Sequence, residues 1–459
     1  MSIAPIQKSG RLRDLPFREV IALALPASIA ASVTPLLGAV DVWALARSAR
    51  PLDIAAVGLA AVIFSLAYWT FGFIRMSVAG LTAQAAGAGR EGETRAALAR
   101  GVLIGGAIGL VLVAFQSPIA SMTFPLLGAG SQASDDTLGA ARQYFDIRIW
   151  GAPFALGTYA LLGWLSARGR TDYLMATSVL MTAMNGVLDW HFVMNSGLGA
   201  KGVALGTLIA ECAGFVIAAV FAARIMAKSG GVKSSWNARE LFEPAMLRRT
   251  LSVNRDIFLR TLILAFAYAW FVQRGGAFGD VTLAANQTLM QLFFFTGLAL
   301  DGTAIAAETM VGRAIGAEDR AKGLDDYRRA VVTTFIVALA SAFVFSLAYW
   351  VGGGFFLSIL SPDGPIRSEA MRYLPWVVMS PLIVAAGFQL DGIFIGATRA
   401  REMRDAMIAT AVIFFPATIL LAQLYGNHGL WAAFTLYFIL RGATLACYMP
   451  RISRSFAQA

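Results

Sequence analysis

Mostly apolar runs of about 20 or more residues recur along the chain with short polar breaks, each long enough to cross a hydrocarbon core of about 30 Å as a helix. In lipid the backbone must satisfy its own hydrogen bonds, which such runs do only as α-helices. Twelve transmembrane spans are expected, at 17 to 45, 54 to 84, 96 to 121, 142 to 166, 172 to 195, 200 to 226, 252 to 275, 280 to 308, 327 to 354, 370 to 396, 404 to 424 and 429 to 450. The pattern predicts an all-α integral membrane protein. A basic lead (Lys8, Arg11, Arg13, Arg18) precedes the first span without a small-residue cleavage site, so that span should be retained rather than removed as a signal peptide.

Composition agrees: 58% of residues are hydrophobic, 14% are charged and the mean hydropathy is +0.67, which excludes an ordinary soluble domain. The net charge of +10 would suggest nucleic acid, but its distribution follows the membrane. With both termini cytoplasmic, 26 of the 37 Lys and Arg fall on the cytoplasmic side, 7 on the far side and 4 within helices (Arg75, Arg148, Arg260, Arg441). That asymmetry sets the expected orientation and leaves no role for nucleic acid as a partner. Cys212 and Cys447 lie within predicted spans and read as packing residues.

The longest cytoplasmic connection, residues 227 to 250 (Lys228, Lys233, Arg239, Arg248, Arg249), divides the chain into six spans and six, giving bundles at 1–235 and 236–459. An internal repeat supports the division. Gln84-Ala-Ala-Gly87-Ala88 and Arg313-Ala-Ile-Gly316-Ala317 match, as do Gly202-Val203-Ala204 and Gly429-Leu430-Trp431. An even number of spans per repeat keeps both in one orientation, related by a pseudo-twofold axis along the membrane normal. The expected architecture is two bundles facing one another across a central cavity, formed by a single chain acting as a monomer among membrane lipids.

Two acids, Asp41 and Asp189, interrupt this apolar background. A carboxylate in hydrocarbon costs several kcal/mol, so such residues mark function by default, here the coupling site of a transporter. The first and fifth spans run in one direction, which sets both acids one to two turns below the far surface; Asn185, four residues before Asp189, shares its face. Two like charges at close range cannot both ionise cheaply, so the pair is suited to exchanging protons. Protonation would let the first helix repack at Pro26 and Pro35 and would weaken the hold on a cation. The rival readings are an interfacial Asp41 near the helix end, and an Asp189 that locks helices together with Arg148. His191 reads as an interfacial residue or a relay, and Asp146 as a balance for Arg148.

A set of segments then resembles a known family: Pro26, Pro35 and Asp41; Phe71-Gly-Phe-Ile-Arg75-Met with Gly80-Leu-Thr-Ala-Gln84-Ala-Ala-Gly87; Asn185-Gly-Val-Leu-Asp189 with Gly197-Leu-Gly-Ala-Lys-Gly202; Phe258-Leu-Arg260-Thr; Leu300-Asp301-Gly302 with Val311-Gly-Arg313; and Leu390-Asp391-Gly392-Ile-Phe-Ile-Gly396. Their order and spacing are similar to the multidrug and toxic compound extrusion (MATE) transporters, in the DinF-like branch, over nearly the whole chain. The resemblance implies a bacterial inner-membrane antiporter that expels amphipathic, often cationic, organic compounds against protons or Na⁺, with Asp41, Asn185 and Asp189 as the ion-coupling site. Where DinF-like chains often carry a His before the Gln, this one has Asn286.

By the repeat offsets Asp189 corresponds to Pro416, Asn185 to Val412 and Asp41 to Trp270, so ion coupling should belong to the N-terminal bundle alone. The C-terminal bundle offers an apolar and aromatic substrate wall: Tyr268, Trp270, Phe271, Phe293, Phe294 and Phe295, with Asn286, Gln287 and Gln291; lipid-facing aromatics are the rival reading. A second charged layer, Arg75, Arg260, Asp301, Asp391 and Arg441, lies two to three turns from the cytoplasmic face and reads as an inner gate or as static bonds. Glu211 fits either layer, and the glycines at 105, 106, 109, 202 and 206 suit close helix packing.

A lipid-linked saccharide flippase would want a more cationic cavity. A membrane-embedded enzyme would need a metal or nucleophile cluster, which two His and two separated Cys do not offer, and no cofactor is expected. No phosphate-loop motif for ATP appears, which leaves an ion gradient as the energy source. The shortage of further oxygen ligands near the two aspartates favours protons over Na⁺.

Overall fold

The computed structural model describes residues 15–47, 51–129, 134–228, 241–361 and 364–457, without the side chains of 34–37 and 39. The expectations for Lys8, Arg11, Arg13, Lys233, Arg239, the bundle boundary at 235 and the Pro35 side chain fall outside them. The first half holds α1 (Phe17–Arg47), α2 (Pro51–Thr70), α3 (Phe73–Gly87), α4 (Glu91–Ala114), α5 (Gln116–Ala129), α6 (Asp135–Arg148), α7 (Ala152–Ala167), α8 (Thr171–Trp190) and α9 (Ala200–Lys228). The second half holds α10 (Pro244–Gly275), α11 (Asp280–Gly316), α12 (Arg320–Leu360), α13 (Pro365–Gly396) and α14 (Ala400–Arg454).

These helices make twelve traverses. α2 runs on into α3 through Phe71 and Gly72, α4 into α5 through Phe115, and α6 into α7 through the tight turn Ile149–Gly151. α14 is two antiparallel arms broken at Gly426, whose φ of 57° and ψ of −138° strain any residue with a Cβ. The reversal is confirmed by Tyr437 Oη donating to Met407 Sδ at 2.9 Å. Ends are capped where the chain supplies the groups. Ser134 Oγ accepts from Thr137 N at the start of α6, and Asp319 Oδ1 accepts from Ala321 N and Lys322 N at the start of α12.

One end of the molecule carries most of the arginines, the 87–91, 167–171, 316–320 and 396–400 turns, and residue 454; it is termed the basic end. Two apolar cores away from it are private to one bundle, one built from residues 44–204 and the other from 267–438. Cores nearer the basic end are shared. Phe73, Leu98 and Trp164 pack with Val253, Ile257 and Ala400, and Val20, Leu23 and Ala24 pack with Ala306. Polar and ring contacts between bundles climb from the basic end to Ser28 Oγ donating to Ala299 O (2.6 Å) and to Trp69 against Tyr268 (5.9 Å). Gly302 permits this seam, because a side chain there would collide with Ala24 and Ser28 of α1. The bundles are therefore joined from the basic end up to the level of Trp69 and Tyr268.

Helix starts refine the repeat. α8 begins at Thr171 and the first arm of α14 at Ala400, 229 positions on, so Asn185 and Asp189 correspond to Phe414 and Thr418. Burial agrees: all four are fully buried, whereas Val412 is 67% exposed and Pro416 is exposed. The Gly429 match misaligned this helix because the irregular turn at Gly426 changes the local offset.

Candidate functional site

Asp41 on α1 and Asp189 on α8 are 3% and 0% exposed and lie within hydrogen-bonding reach of each other. Asn185, one turn back on α8, sits beside both and donates its amide N–H to Thr207 Oγ1 at 3.2 Å. Gly206 on α9 makes the room, since a Cβ there would strike the Asp189 carboxylate. Trp43 and Trp190 meet in a tilted ring contact at 5.3 Å on the far-surface side of the pair. No donor among the described residues satisfies Asp41 Oδ1, either oxygen of Asp189 or Asn185 Oδ1, all of them buried. The interfacial reading of Asp41 is thereby excluded.

Arg148 does not lock Asp189. Its Nη1 donates to Tyr144 Oη at 2.8 Å and its Nη2 to Glu211 Oε1 at 3.5 Å, and Tyr68 Oη donates to the other Glu211 oxygen at 3.4 Å. Asp146, two residues and about 200° round the helix from Arg148, instead pairs with Arg142 at 3.0 Å near the surface. Glu211 thus belongs with the N-terminal site. His191 is exposed in a wide turn, His191–Asn195, where its Nδ1 meets the Asn195 amide at 3.2 Å.

In the C-terminal bundle four expected wall residues lie elsewhere, and of these Phe271 and Phe293 are buried in the bundle core. Asn286 is 2% exposed and locked into a knot: it exchanges amide bonds with Asn427 (2.8 and 3.0 Å) and accepts from Trp431 Nε1 (2.8 Å). Trp270 turns from the seam to pack on Phe266 and Phe415, with Arg274 stacked over it at 4.4 Å. Tyr268, two residues earlier on α10, points the other way to Trp69 and Phe294. Gln287, Gln291 and Phe294 are exposed at i, i+4 and i+7 of α11, one stripe continuing outward from the Tyr268 contact. Amides exposed to hydrocarbon are costly, so the stripe with Gln287 and Gln291 is the face of α11 least suited to lipid.

The inner charges are two groups rather than one network. Asp391 is clasped by Arg260 and Arg441, all within the C-terminal bundle. Arg75 crosses the seam to Glu308 at 3.6 Å, and Asp301 stands within electrostatic range of Arg75 and Arg260. Below them the repeat motif closes on itself. Gln84 Nε2 donates to Gly396 O (3.0 Å) at the end of α13, and Arg313 Nη2 to Ala167 O (3.2 Å) at the end of α7. Gly87 lies against the Arg313 backbone and Gly316 against the Gln84 backbone, reciprocally. Arg249 adds bonds to Gln84 Oε1 (2.7 Å) and Thr398 Oγ1 (3.0 Å). Glu308 and these cross-bundle caps escaped the sequence reading; the Gln84 and Arg313 match was the signal that could have found the caps. The cysteines are unpaired, and Cys447 is exposed on the bundle surface rather than packed within it. Among the described residues no cluster of three or more His, Cys, Asp or Glu could hold a metal ion.

A twelve-helix membrane protein with two repeat bundles and a buried carboxylate pair inside one of them has the build of a secondary transporter. The MatE family model matches residues 26–191 and 257–428, one stretch in each bundle. The DNA damage-inducible protein F of Escherichia coli (strain K12) is 36% identical over 436 residues, 94% of this chain and 91% of that protein. The chain belongs to the MATE family of membrane transporters, in its DinF-like branch. A probable multidrug resistance protein NorM of Synechococcus sp. is 24% identical over 332 residues, 70% of this chain and 68% of that one. A solved MOP superfamily transporter from Pyrococcus furiosus shares the fold, with a TM-score of 0.83 over 97% of each chain at 17% identity. The protein is accordingly a multi-pass transporter of small organic molecules, not an enzyme.

Proposed function

We propose that the chain exports amphipathic organic cations in exchange for protons, with Asp41, Asn185 and Asp189 as the coupling site. The observation that carries this reading is a pair of buried carboxyls, side by side, three of whose four oxygens are buried with no donor among the described residues. Two such charges are tolerated in low dielectric when a proton or another cation lies between them. Substrate cation and proton then compete for one site, and proton uptake from the far side becomes substrate release. Tyr268, Gln287, Gln291 and Phe294 suit the amphipathic body of the substrate, and the multidrug name of the NorM relative agrees with such a wall.

The basic end faces the cytoplasm of a bacterial inner membrane by the distribution of Lys and Arg, with both termini inside and one chain as the working unit. Residues 1–235 carry ion coupling and 236–459 the facing wall. At the cytoplasmic gate Arg75 with Glu308, and Gln84 with Arg313, hold the bundles together, while Arg260, Asp391 and Arg441 brace the C-terminal bundle. Pro26 provides a bending point in α1. The test is efflux of a fluorescent cationic dye from proteoliposomes under an imposed pH gradient. Asp41→Asn and Asp189→Asn should each abolish it with folding retained. Transport that survives both substitutions would overturn the assignment, and transport driven by a sodium gradient instead would change the coupling ion.

A further inference from the structure

The N-terminal site holds a third carboxylate and one guanidinium that proton–cation exchange at the aspartates does not by itself require. Arg148 lies within electrostatic range of Glu211, Asp41 and Asp189, so three acids contend for one cation. Glu211 and Arg148 are 6% and 9% exposed, and their pocket is built for them. Gly151 leaves the space that the Glu211 carboxylate fills, and Tyr68 donates to that carboxylate at 3.4 Å. The guanidinium lies over the Phe64 ring at 4.5 Å and donates to Tyr144 Oη at 2.8 Å. The hold is nonetheless loose. At 3.5 Å the bond to Glu211 is at the long limit, and Arg148 Nε is buried without an acceptor among the described residues.

We propose that Glu211 is a positioning residue of the coupling site: by retaining Arg148 it keeps the guanidinium off Asp41 and Asp189, leaving that pair free to exchange protons for a cationic substrate. This rests on the reading of Asp41 and Asp189 as the coupling pair. A desolvated guanidinium without its partner takes the nearest carboxylate, and a carboxylate in a charge-assisted bond to arginine neither collects a proton near neutral pH nor welcomes a second cation. Other titratable groups near Glu211 are Asp41, the phenols Tyr68 on α2, Tyr144 on α6 and Tyr159 on α7, and the thiol of Cys212, its neighbour on α9. Phenols and thiols are ordinarily neutral at pH 7. Among the described residues Arg148 is therefore the cation whose position Glu211 decides.

The experiment measures dye efflux against pH in proteoliposomes, with melting temperature, for Glu211→Gln, Arg148→Met/Glu211→Gln and Asp41→Asn. Glu211→Gln should lower efflux about tenfold or more and flatten its pH profile, because its freed arginine occupies the aspartates. The double variant removes both members of a buried pair, a change proteins commonly tolerate, and should regain efflux and the wild-type pH profile. A merely structural pair would move melting temperature without flattening the profile. The proposal is overturned if Glu211→Gln keeps the wild-type profile, or if the double variant folds and stays as inactive as the single one. Should Glu211→Gln not fold, the double variant still decides: pH-driven efflux supports the proposal, and its loss overturns it. Asp41→Asn separates the two readings. If it is inactive while Glu211→Gln behaves as wild type, only this inference fails; if it still couples to pH, the assignment of the aspartates fails as well.

Discussion

Asp41, Asn185 and Asp189 of the first bundle occupy the positions that Trp270, Phe414 and Thr418 hold in the second, 229 residues on. The backbone plan is the same, but at these positions the second bundle leaves one buried polar atom without a partner, Trp270 Nε1, where the first leaves four oxygens. In the second bundle Thr418 Oγ1 returns its hydrogen to Phe414 O at 2.8 Å, and the nearby polar side chains Asn286, Asn427 and Trp431 bond one another. In the first, four carboxyl and amide oxygens are buried with no donor among the described residues. A buried polar atom without a partner costs about 1–3 kcal/mol, more when charged. A cluster of such oxygens around two carboxyls is what the proposed change of charge state at the first bundle's site calls for.

The sharpest way to break this contrast is to neutralise each polar site and read both stability and transport. Asp189→Asn should abolish gradient-driven dye efflux, by about 100-fold or more, while leaving the melting temperature unchanged or higher, because a strained carboxylate is replaced by an amide. Asn286→Ala should do the reverse. It strands the Asn427 amide and the Trp431 indole N–H, at about 2–4 kcal/mol, so the melting temperature falls and efflux per folded molecule survives. If both substitutions cost the same stability, the first bundle's orphan groups are ordinary structural polarity and the contrast fails.

The twelve traverses were legible because lipid leaves the backbone no alternative to helices, and the first span, 17 to 45, lies within Phe17–Arg47. The proximity of Asp41, Asn185 and Asp189 was legible too, since parallel helices of known direction fix depth and a spacing of four fixes the face. Partners distant in sequence were not. Arg148 is closer in sequence to Asp146 than to Glu211, but helical geometry turns Asp146 outward and the ninth helix brings Glu211 in. Glu308 hides in a run of small residues, and its partner Arg75 becomes visible only once the bundles are docked. Trp270 and Tyr268 were assigned to one wall although two residues on a helix point about 200° apart.

At the basic end the two halves are alike, which offers a control for the far-side difference. Gly87 and Gly316 each abut the backbone of the opposite repeat, so Gly87→Ala and Gly316→Ala should weaken the closed end by similar amounts, about 1–3 kcal/mol, the usual cost of overpacking. Spin labels at the exposed positions Asp172 and Lys322, in a background without Cys212 and Cys447, should report a longer distance population in both variants. Unequal responses would mean that the halves share contacts but not energetics.

Within that near-symmetry one position differs, and it yields the smallest effect. The turn after α7 has Gly169 at φ 74°, and the turn after α13 has Thr398 at φ 52°, the sole non-glycine with positive φ among the described residues. A β-branched residue there is strained by about 1–3 kcal/mol. At 169 glycine takes the positive φ without strain and leaves room for the Arg313 guanidinium. At 398 the side chain is used instead: Thr398 Oγ1 accepts from Gln84 Nε2 (3.2 Å) and Arg249 Nη2 (3.0 Å). Thr398→Ala should lose those bonds and keep the strain, opening the basic end, whereas Thr398→Gly loses the bonds and relieves the strain. The difference between the two variants, about 1 kcal/mol in favour of glycine, isolates the strain from the hydrogen bonds. The same label pair reads it as a smaller shift toward the long distance for glycine than for alanine. Equal shifts would show that the hydrogen bonds alone set the closed state and that the turn stores nothing.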